Sequence, residues 1–163
     1  MPPLSEWQTL LAVQAGAAAT LTGLVFVAVS INLGRIMAAP GLPGRAGESI
    51  VQFLQVFFVA MVALIPRQPL NLLASEILAI SIGSWVFQVI CQIRFKRSLP
   101  GHPWGWLIPR AIMSQFATVP FCIAGVLLLL GSPDGLYWLV PGFTFSFIAG
   151  VISAWVLLVE ILR

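Results

Sequence analysis

Charged side chains are scarce in this sequence, and Asp, Glu, Lys and Arg together make up only 8% of its 163 residues. A soluble domain carries about 25% charged residues, because its wet surface requires them. Hydrophobic residues make up 60% of the chain, so lipid must cover much of its surface and a soluble protein is excluded. We therefore expect one transmembrane helical domain over residues 1–163.

Metal ligands and reactive side chains are also scarce. The chain has two cysteines, Cys91 and Cys122, at different heights in apolar runs, and one histidine, His102. These residues cannot build a disulfide framework, a zinc site or a pair of haem ligands. No segment carries a catalytic or nucleotide-binding signature. We predict no enzyme, no catalytic or metal-binding residue and no cofactor, whereas a bound lipid is compatible with the composition.

Five apolar runs provide the architecture. No charged residue lies between Glu6 and Arg35, and a helix over that run spans roughly 40 Å, more than the ~30 Å of a hydrocarbon core. We predict an all-α bundle of five transmembrane helices, over residues of about 8–36, 48–65, 70–93, 111–130 and 136–162.

The connections between these helices indicate the orientation. A loop rich in proline and glycine is predicted over 37–47, and a long basic connection over 94–110. Seven of the eight Lys and Arg residues lie on the side of these loops and the C-terminus, and only Arg67 lies on the other side. Basic connections stay in the cytoplasm, so we predict a multi-pass protein of the bacterial inner membrane, N-outside and C-inside. The net charge of +3 is explained by these loops, and we predict no nucleic-acid partner.

Small residues recur at four-residue spacing in two of the predicted helices. The first helix carries Ala12, Gly16 and Thr20, together with Ala19 and Gly23, and the fifth carries Gly142, Ser146, Gly150 and Ala154. Small side chains let two helix backbones approach closely in a membrane. We therefore expect the first helix to be central and buried. The partner of the fifth helix is either the first helix or a second copy of the protein.

Polar side chains collect in the half of the bundle nearest the basic loops. The candidates for a polar layer are Asn32, Gln52, Gln55, Gln88, Gln115 and Thr118. One interpretation is hydrogen bonding between helices, which fixes their register. The other is a wet, inward-facing cavity that binds or passes a small polar solute.

Glu76 is the candidate intramembrane carboxylate, about six residues below the outer boundary. It is either a proton or cation site, as carboxylates within spans often are, or a carboxylate that snorkels to water or pairs with Arg67.

The run GAAATLTGLVFVAVSINL, followed by PGLPGRAGE, resembles an uncharacterised family of small bacterial integral membrane proteins. Some members of that family are labelled modulators of the FtsH protease. The resemblance covers about residues 7–50. It implies kinship with these membrane proteins and assigns no site residue.

These observations predict a non-enzymatic inner-membrane protein that acts by helix association. It would form a homo-oligomer or serve as a small subunit of a larger membrane complex, with membrane lipids around it. The alternative is a channel or transporter for a small polar or ionic solute that uses the polar layer. A membrane enzyme is a third and weaker hypothesis, because Glu76 is its only candidate base.

Overall fold

Helices dominate the structure, a computed structural model that describes residues 6–38, 41–98 and 107–162. The elements are α1 (Gln8–Ile31), α2 (Leu33–Ala38), α3 (Leu42–Ala63), α4 (Leu70–Ser98), α5 (Leu107–Leu129), a 3-10 segment (Pro133–Trp138) and α6 (Leu139–Leu162). Within the described ranges, five stretches are long and apolar enough to cross a membrane. These helices confirm the prediction of an all-α protein with five candidate membrane spans. Five such helices are what a multi-pass membrane protein is expected to have.

The first helix of the structure is shorter than the first predicted helix. It ends at Ile31, and Asn32 separates it from the short helix α2, so the prediction of one helix over 8–36 was wrong. The Asn32 side chain explains the break in part, because its Nδ2 donates to the carbonyl oxygen of Ala28 at 2.9 Å. Asparagine side chains compete in this way with the backbone hydrogen bonds of a helix.

Both predicted loops on the basic side are partly helical. α3 begins at Leu42 rather than at 48, with Pro43 in its first turn, where the missing N–H of proline removes no helical hydrogen bond. Gly41 precedes it with φ of 89°, a left-handed conformation that glycine adopts readily. The long connection also shrinks, because α4 continues to Ser98 and α5 begins at Leu107. The middle of that connection, residues 99–106, lies outside the described residues.

The central helix is α3, and the prediction that the first helix is central and buried was wrong. In the most apolar part of each helix, 56% of the residues of α3 are buried, compared with 17% in α1. α3 contacts α1, α4 and α6, whereas α1 packs mainly against α3. The buried side chains of α1 form one stripe, Leu11, Ala15, Ala18 and Val25. The rest of its surface faces outward.

The two ends of the bundle differ in charge. Six of the seven basic residues described, all except Arg67, lie where α2, α3 and α5 begin and α4 ends. We call this the basic end. At the opposite end, Trp7 and Tyr137 pack edge to face with their ring centroids 5.1 Å apart. The half of the bundle near that end has an apolar core, in which Leu11 of α1, Val59 of α3 and Leu128 of α5 are fully buried.

Candidate functional site

Buried polar side chains occupy the other half of the bundle, between α3, α4 and α5. α3 contributes Glu48, Gln52 and Gln55, whose spacing of four and three residues places them on one helix face. We call them, together with Gln88 of α4 and with Arg110, Ser114 and Thr118 of α5, the polar cluster. The members of α5 also lie on one face, because they are four residues apart. Each helix thus presents a polar stripe to its neighbours.

Hydrogen bonds connect these stripes across three helices. Gln88 Nε2 donates to Thr118 Oγ1 at 3.3 Å, and Thr118 Oγ1 donates to Gln55 Oε1 at 3.5 Å. One turn nearer the basic end, Gln92 Nε2 of α4 donates to Ser114 Oγ at 3.0 Å. Four of the six predicted polar-layer residues, Gln52, Gln55, Gln88 and Thr118, are thus buried in one cluster. Two of these hydrogen bonds link α4 to α5, and the third links α5 to α3.

A buried ion pair closes the cluster at the basic end, and sequence reasoning missed it. Arg110 Nε donates to Glu48 Oε2 at 2.6 Å, and the two side chains are only 10% and 1% exposed. The Arg110 guanidinium also lies over the Phe95 ring of α4, with its Cζ atom 5.3 Å from the ring centroid. Arg110 was placed in a loop, and Glu48 at the start of a helix. The four-residue spacing of Arg110, Ser114 and Thr118 is the signal that could have identified the arginine.

The ion pair shows that α3 and α5 are parallel. Glu48 contacts Arg110 and Gln55 contacts Thr118, so the same offset of roughly 62 residues relates both pairs along the two helices. Parallel neighbours bring both helix starts to the basic end. A charge at the start of one helix therefore meets the opposite charge at the start of the other.

Several buried polar atoms of the cluster have no hydrogen-bond partner among the described residues. They are Glu48 Oε1, Gln52 Oε1, Gln55 Nε2, Gln88 Oε1 and both Nη atoms of Arg110. An unpaired buried polar group costs about 1–3 kcal/mol, more when it is charged. The cluster therefore keeps the capacity to bind a further polar group.

A cavity of about 350 Å³ lies beside the cluster, between α3, α5 and α6. Its polar lining consists of Arg45, Gln52, Arg110, Ser114 and Ser153. Its apolar lining includes Met113, Ile152 and Val156. We call it the basic-end cavity, since Arg45 and Arg110 both stand at helix starts on that end.

The structure does not bring Asn32 or Gln115 into the cluster. Asn32 bonds to the backbone of its own helix, as described above. Gln115 is partly exposed at the surface between α4 and α5, and its Oε1 accepts a hydrogen bond from Trp85 Nε1 at 3.0 Å.

Glu76 lies at the opposite end of the bundle. Its Oε2 accepts a hydrogen bond from Gln68 Nε2, rather than pairing with Arg67 as one interpretation had it. The carboxylate is half-buried.

The small residues of α6 pack inside the chain. A Cβ atom added to Gly142 would lie 2.8 Å from the Phe121 ring of α5, and one added to Gly150 would lie 2.5 Å from the Phe53 ring of α3. Between them, Ser146 Oγ donates to the carbonyl oxygen of Ala117 at 3.1 Å. Ala154 is half-buried at the end of this ladder. The partners of α6 are therefore α3 and α5, neither of which was predicted.

The small residues of α1 point the other way. Gly16 and Gly23 are exposed, and a Cβ atom added to either would meet no atom of the described chain within 4 Å. Ala12, Ala19 and Thr20 are exposed on the same side of the helix. We call these five residues the outer face of α1.

Metal ligands do not cluster in the described part of the chain, where no three His, Cys, Asp or Glu residues are placed to hold an ion. Cys91 and Cys122 are free thiols. His102 lies outside the described residues.

No protein-family model, curated protein or solved structure matches this chain. The resemblance of residues 7–50 to small bacterial membrane proteins therefore stays a prediction.

Proposed function

We propose that this protein is a non-enzymatic, multi-pass protein of the bacterial inner membrane that acts by helix association through the outer face of α1. The partner is a second copy or another membrane protein. Its N-terminus lies outside and its basic end in the cytoplasm, as the asymmetry of the basic residues favours.

The observation that carries this proposal is the uncovered outer face of α1. Gly16 and Gly23 leave the helix backbone accessible, with open space where side chains would stand. Close backbone approach at such positions supplies the van der Waals packing that holds helices together in lipid. The α6 ladder is already covered by α3 and α5, whereas the outer face of α1 remains uncovered and accessible to a partner.

The one hydroxyl on this face presents no obstacle to packing. Thr20 Oγ1 donates to the carbonyl oxygen of Gly16 at 2.9 Å, so its polar proton is satisfied within the helix. A partner helix can therefore cover the face without burying an unpaired donor, which would cost free energy in a membrane.

The test is a pair of substitutions on α1 with native mass spectrometry in mild detergent. Gly16→Ile places a bulky side chain on the outer face, whereas Ala17→Ile places it on an exposed neighbouring position away from the ladder. Overpacking of an interface costs about 1–3 kcal/mol, so Gly16→Ile is expected to weaken association between about fivefold and about a hundredfold. Ala17→Ile is expected to leave the complex intact.

A Cβ atom added at Gly16 would meet no atom of the described chain within 4 Å, so we expect the helix bundle of Gly16→Ile to stay folded. A wild-type protein that is monomeric and brings no partner from native membranes contradicts the proposal. So does a complex that tolerates both substitutions equally.

A second candidate function is transport of a small polar solute, and the unpaired atoms of the polar cluster favour it. Gln55 is buried in the cluster, whereas Gln115 lies at the lipid-facing surface. Transport through the cluster predicts that Gln55→Leu abolishes solute flux into liposomes and that Gln115→Leu does not. Flux that survives Gln55→Leu excludes this route.

A further inference from the structure

We propose that the basic-end cavity binds the phosphate headgroup of an anionic membrane lipid. All ten residues that line the cavity come from α3, α5 and α6. The outer face of α1 contributes none of this lining, so the inference is independent of the association proposed above.

Positive charge at the cavity favours an anion. Arg45 lines it from α3 and Arg110 from α5. Glu48 occupies only the Nε atom of Arg110, and neither Nη atom has a hydrogen-bond partner in the described ranges. Guanidinium groups bind phosphate oxygens through paired N–H donors, so the two Nη atoms of Arg110 suit a phosphate, and Arg45 adds positive charge beside them.

Neutral donors in the cavity wall complement the arginines. Gln52 is only 2% exposed and lines the cavity, with its Oε1 atom unpaired within the described chain. The donor and acceptor ends of an amide exchange by rotation, so Gln52 can present its N–H group to a phosphate oxygen. Ser114 Oγ accepts from Gln92, which leaves the hydroxyl proton for a second acceptor. Ser153 adds another hydroxyl from α6.

The apolar part of the wall distinguishes a lipid from a free anion. Met113 and Val156 line the cavity beside the arginines, and Ile152, also in the wall, is 48% exposed on the outer surface of the bundle. A volume of about 350 Å³ is near the lower limit of about 300 Å³ for small-molecule sites. It accommodates a headgroup, while acyl chains continue over Ile152 into the bilayer. Basic pockets between helices at the cytoplasmic side are typical sites for such lipids.

The experiment is native mass spectrometry of the full chain in mild detergent with added phosphatidylglycerol. Phosphatidylcholine with the same acyl chains and inorganic phosphate serve as the two comparison ligands. We expect the protein to retain phosphatidylglycerol in preference to phosphatidylcholine. Inorganic phosphate at millimolar concentration is expected to leave the bound lipid in place.

Two pairs of variants locate the bound lipid. Arg45→Gln is expected to weaken binding about fivefold, the effect of one basic side chain near a membrane surface, whereas Arg35→Gln removes an exposed charge from the same end without touching the cavity. Ser153→Phe fills the cavity from α6 and is expected to abolish binding. Val151→Phe, on the 50% exposed surface of the same helix, is expected to preserve it.

Three results would overturn the proposal. Equal weakening by Arg45→Gln and Arg35→Gln means that lipid responds only to the overall charge of the basic end. Binding that survives Ser153→Phe places the lipid elsewhere, such as the groove beside Lys96 and Arg97. Displacement of the lipid by inorganic phosphate means that the cavity selects a free anion. Gly16→Ile separates this proposal from the association test, because it should weaken association and leave lipid binding unchanged.

Discussion

α3 and α1 are both apolar spans, yet the less apolar of the two lies at the centre. α3 has a mean hydropathy of 1.6 and α1 of 1.9, but α3 has more than three times the buried fraction of α1. Lipid tails are as apolar as leucine, so hydrophobicity gives no reason for a helix to leave them. Polar groups do give a helix a reason to leave the lipid, because they need hydrogen-bond partners inside the bundle. The Glu48, Gln52 and Gln55 stripe therefore holds α3 in the centre.

The ladders of small residues in α1 and α6 also show that a sequence pattern alone does not decide which helix face is buried. The ladder of α6 is buried because α3 and α5 present phenylalanine rings to its glycines. The ladder of α1 faces outward, because the face of α1 that packs against α3 carries Leu11, Ala15, Ala18 and Val25 instead. Small residues permit a close contact, and the neighbouring side chains decide whether the same chain makes it.

The largest effect on the free energy of unfolding should come from removing the charge of Glu48, which pairs α3 with α5. Glu48→Gln leaves Arg110 buried without a counter-charge, and arginine cannot lose its proton in a protein. Removing one partner of a buried ion pair costs about 3–5 kcal/mol. We expect a loss of that size in the free energy of unfolding, measured by denaturant titration in detergent micelles.

The double variant Glu48→Gln with Arg110→Gln should recover most of that loss, since both charges are then absent. The exposed carboxylate of Glu6 provides a control, and Glu6→Gln should have little effect. An equal loss in the single and double variants would show that the loss does not come from the unpaired charge of Arg110.

The next largest effect should come from the contact between α6 and α3. Gly150→Leu forces a side chain into the Phe53 ring, and overpacking of this kind costs up to about 3 kcal/mol. We expect Gly150→Leu to lower the unfolding free energy by about that amount in the same titration. The loss should shrink in a Phe53→Ala background, where the ring is absent. A loss that is the same in both backgrounds would place its cause elsewhere.

The number and approximate position of the spans could be predicted from sequence, because length and hydropathy are local properties. Four members of the polar cluster could be predicted as well, since polar side chains in apolar runs need hydrogen-bond partners within the protein. Asn32 and Gln115 were misplaced because depth in the membrane was counted and rotation about the helix axis was not. Asn32 bonds to its own helix and Gln115 turns to the surface.

The ion pair and the central helix could not be predicted in this way. Glu48 was expected at the start of its helix, but α3 begins six residues earlier at Leu42, which moves the carboxylate into the bundle. Arg110 was likewise expected in a loop, but α5 begins at Leu107, which places the arginine inside the helix. Both errors followed from interpreting proline and glycine as breakers, although Pro43 is compatible with a first helical turn. The neighbours of α1 and α6 depend on contacts between distant residues, which periodicity does not contain.

A substitution on the outer face of α1 should have a smaller effect on the unfolding free energy, and it should be stabilising. Gly23→Leu repeats the substitution made at Gly150 at a position where no described atom lies within 4 Å. Replacing glycine in a helix interior by a good helix former gains up to about 1 kcal/mol. We expect the unfolding free energy of the monomer to rise by that amount, in a detergent that dissociates any complex. A loss would show that α1 has neighbours within its own chain on this face.

The smallest effect separates a hydrogen bond between helices from one within a helix. Ser146 Oγ donates across to Ala117 of α5, whereas Ser30 Oγ, exposed on α1, donates to Phe26 of its own helix at 2.8 Å. Both substitutions to alanine gain the same helix propensity, so their difference isolates the bond between helices. Such bonds are worth about 0.6 kcal/mol in membrane bundles, and Ser146→Ala should be less stable than Ser30→Ala by about that amount. Equal stabilities would mean that the α6 ladder is held by its glycine contacts alone, and that its covered position owes nothing to polar groups.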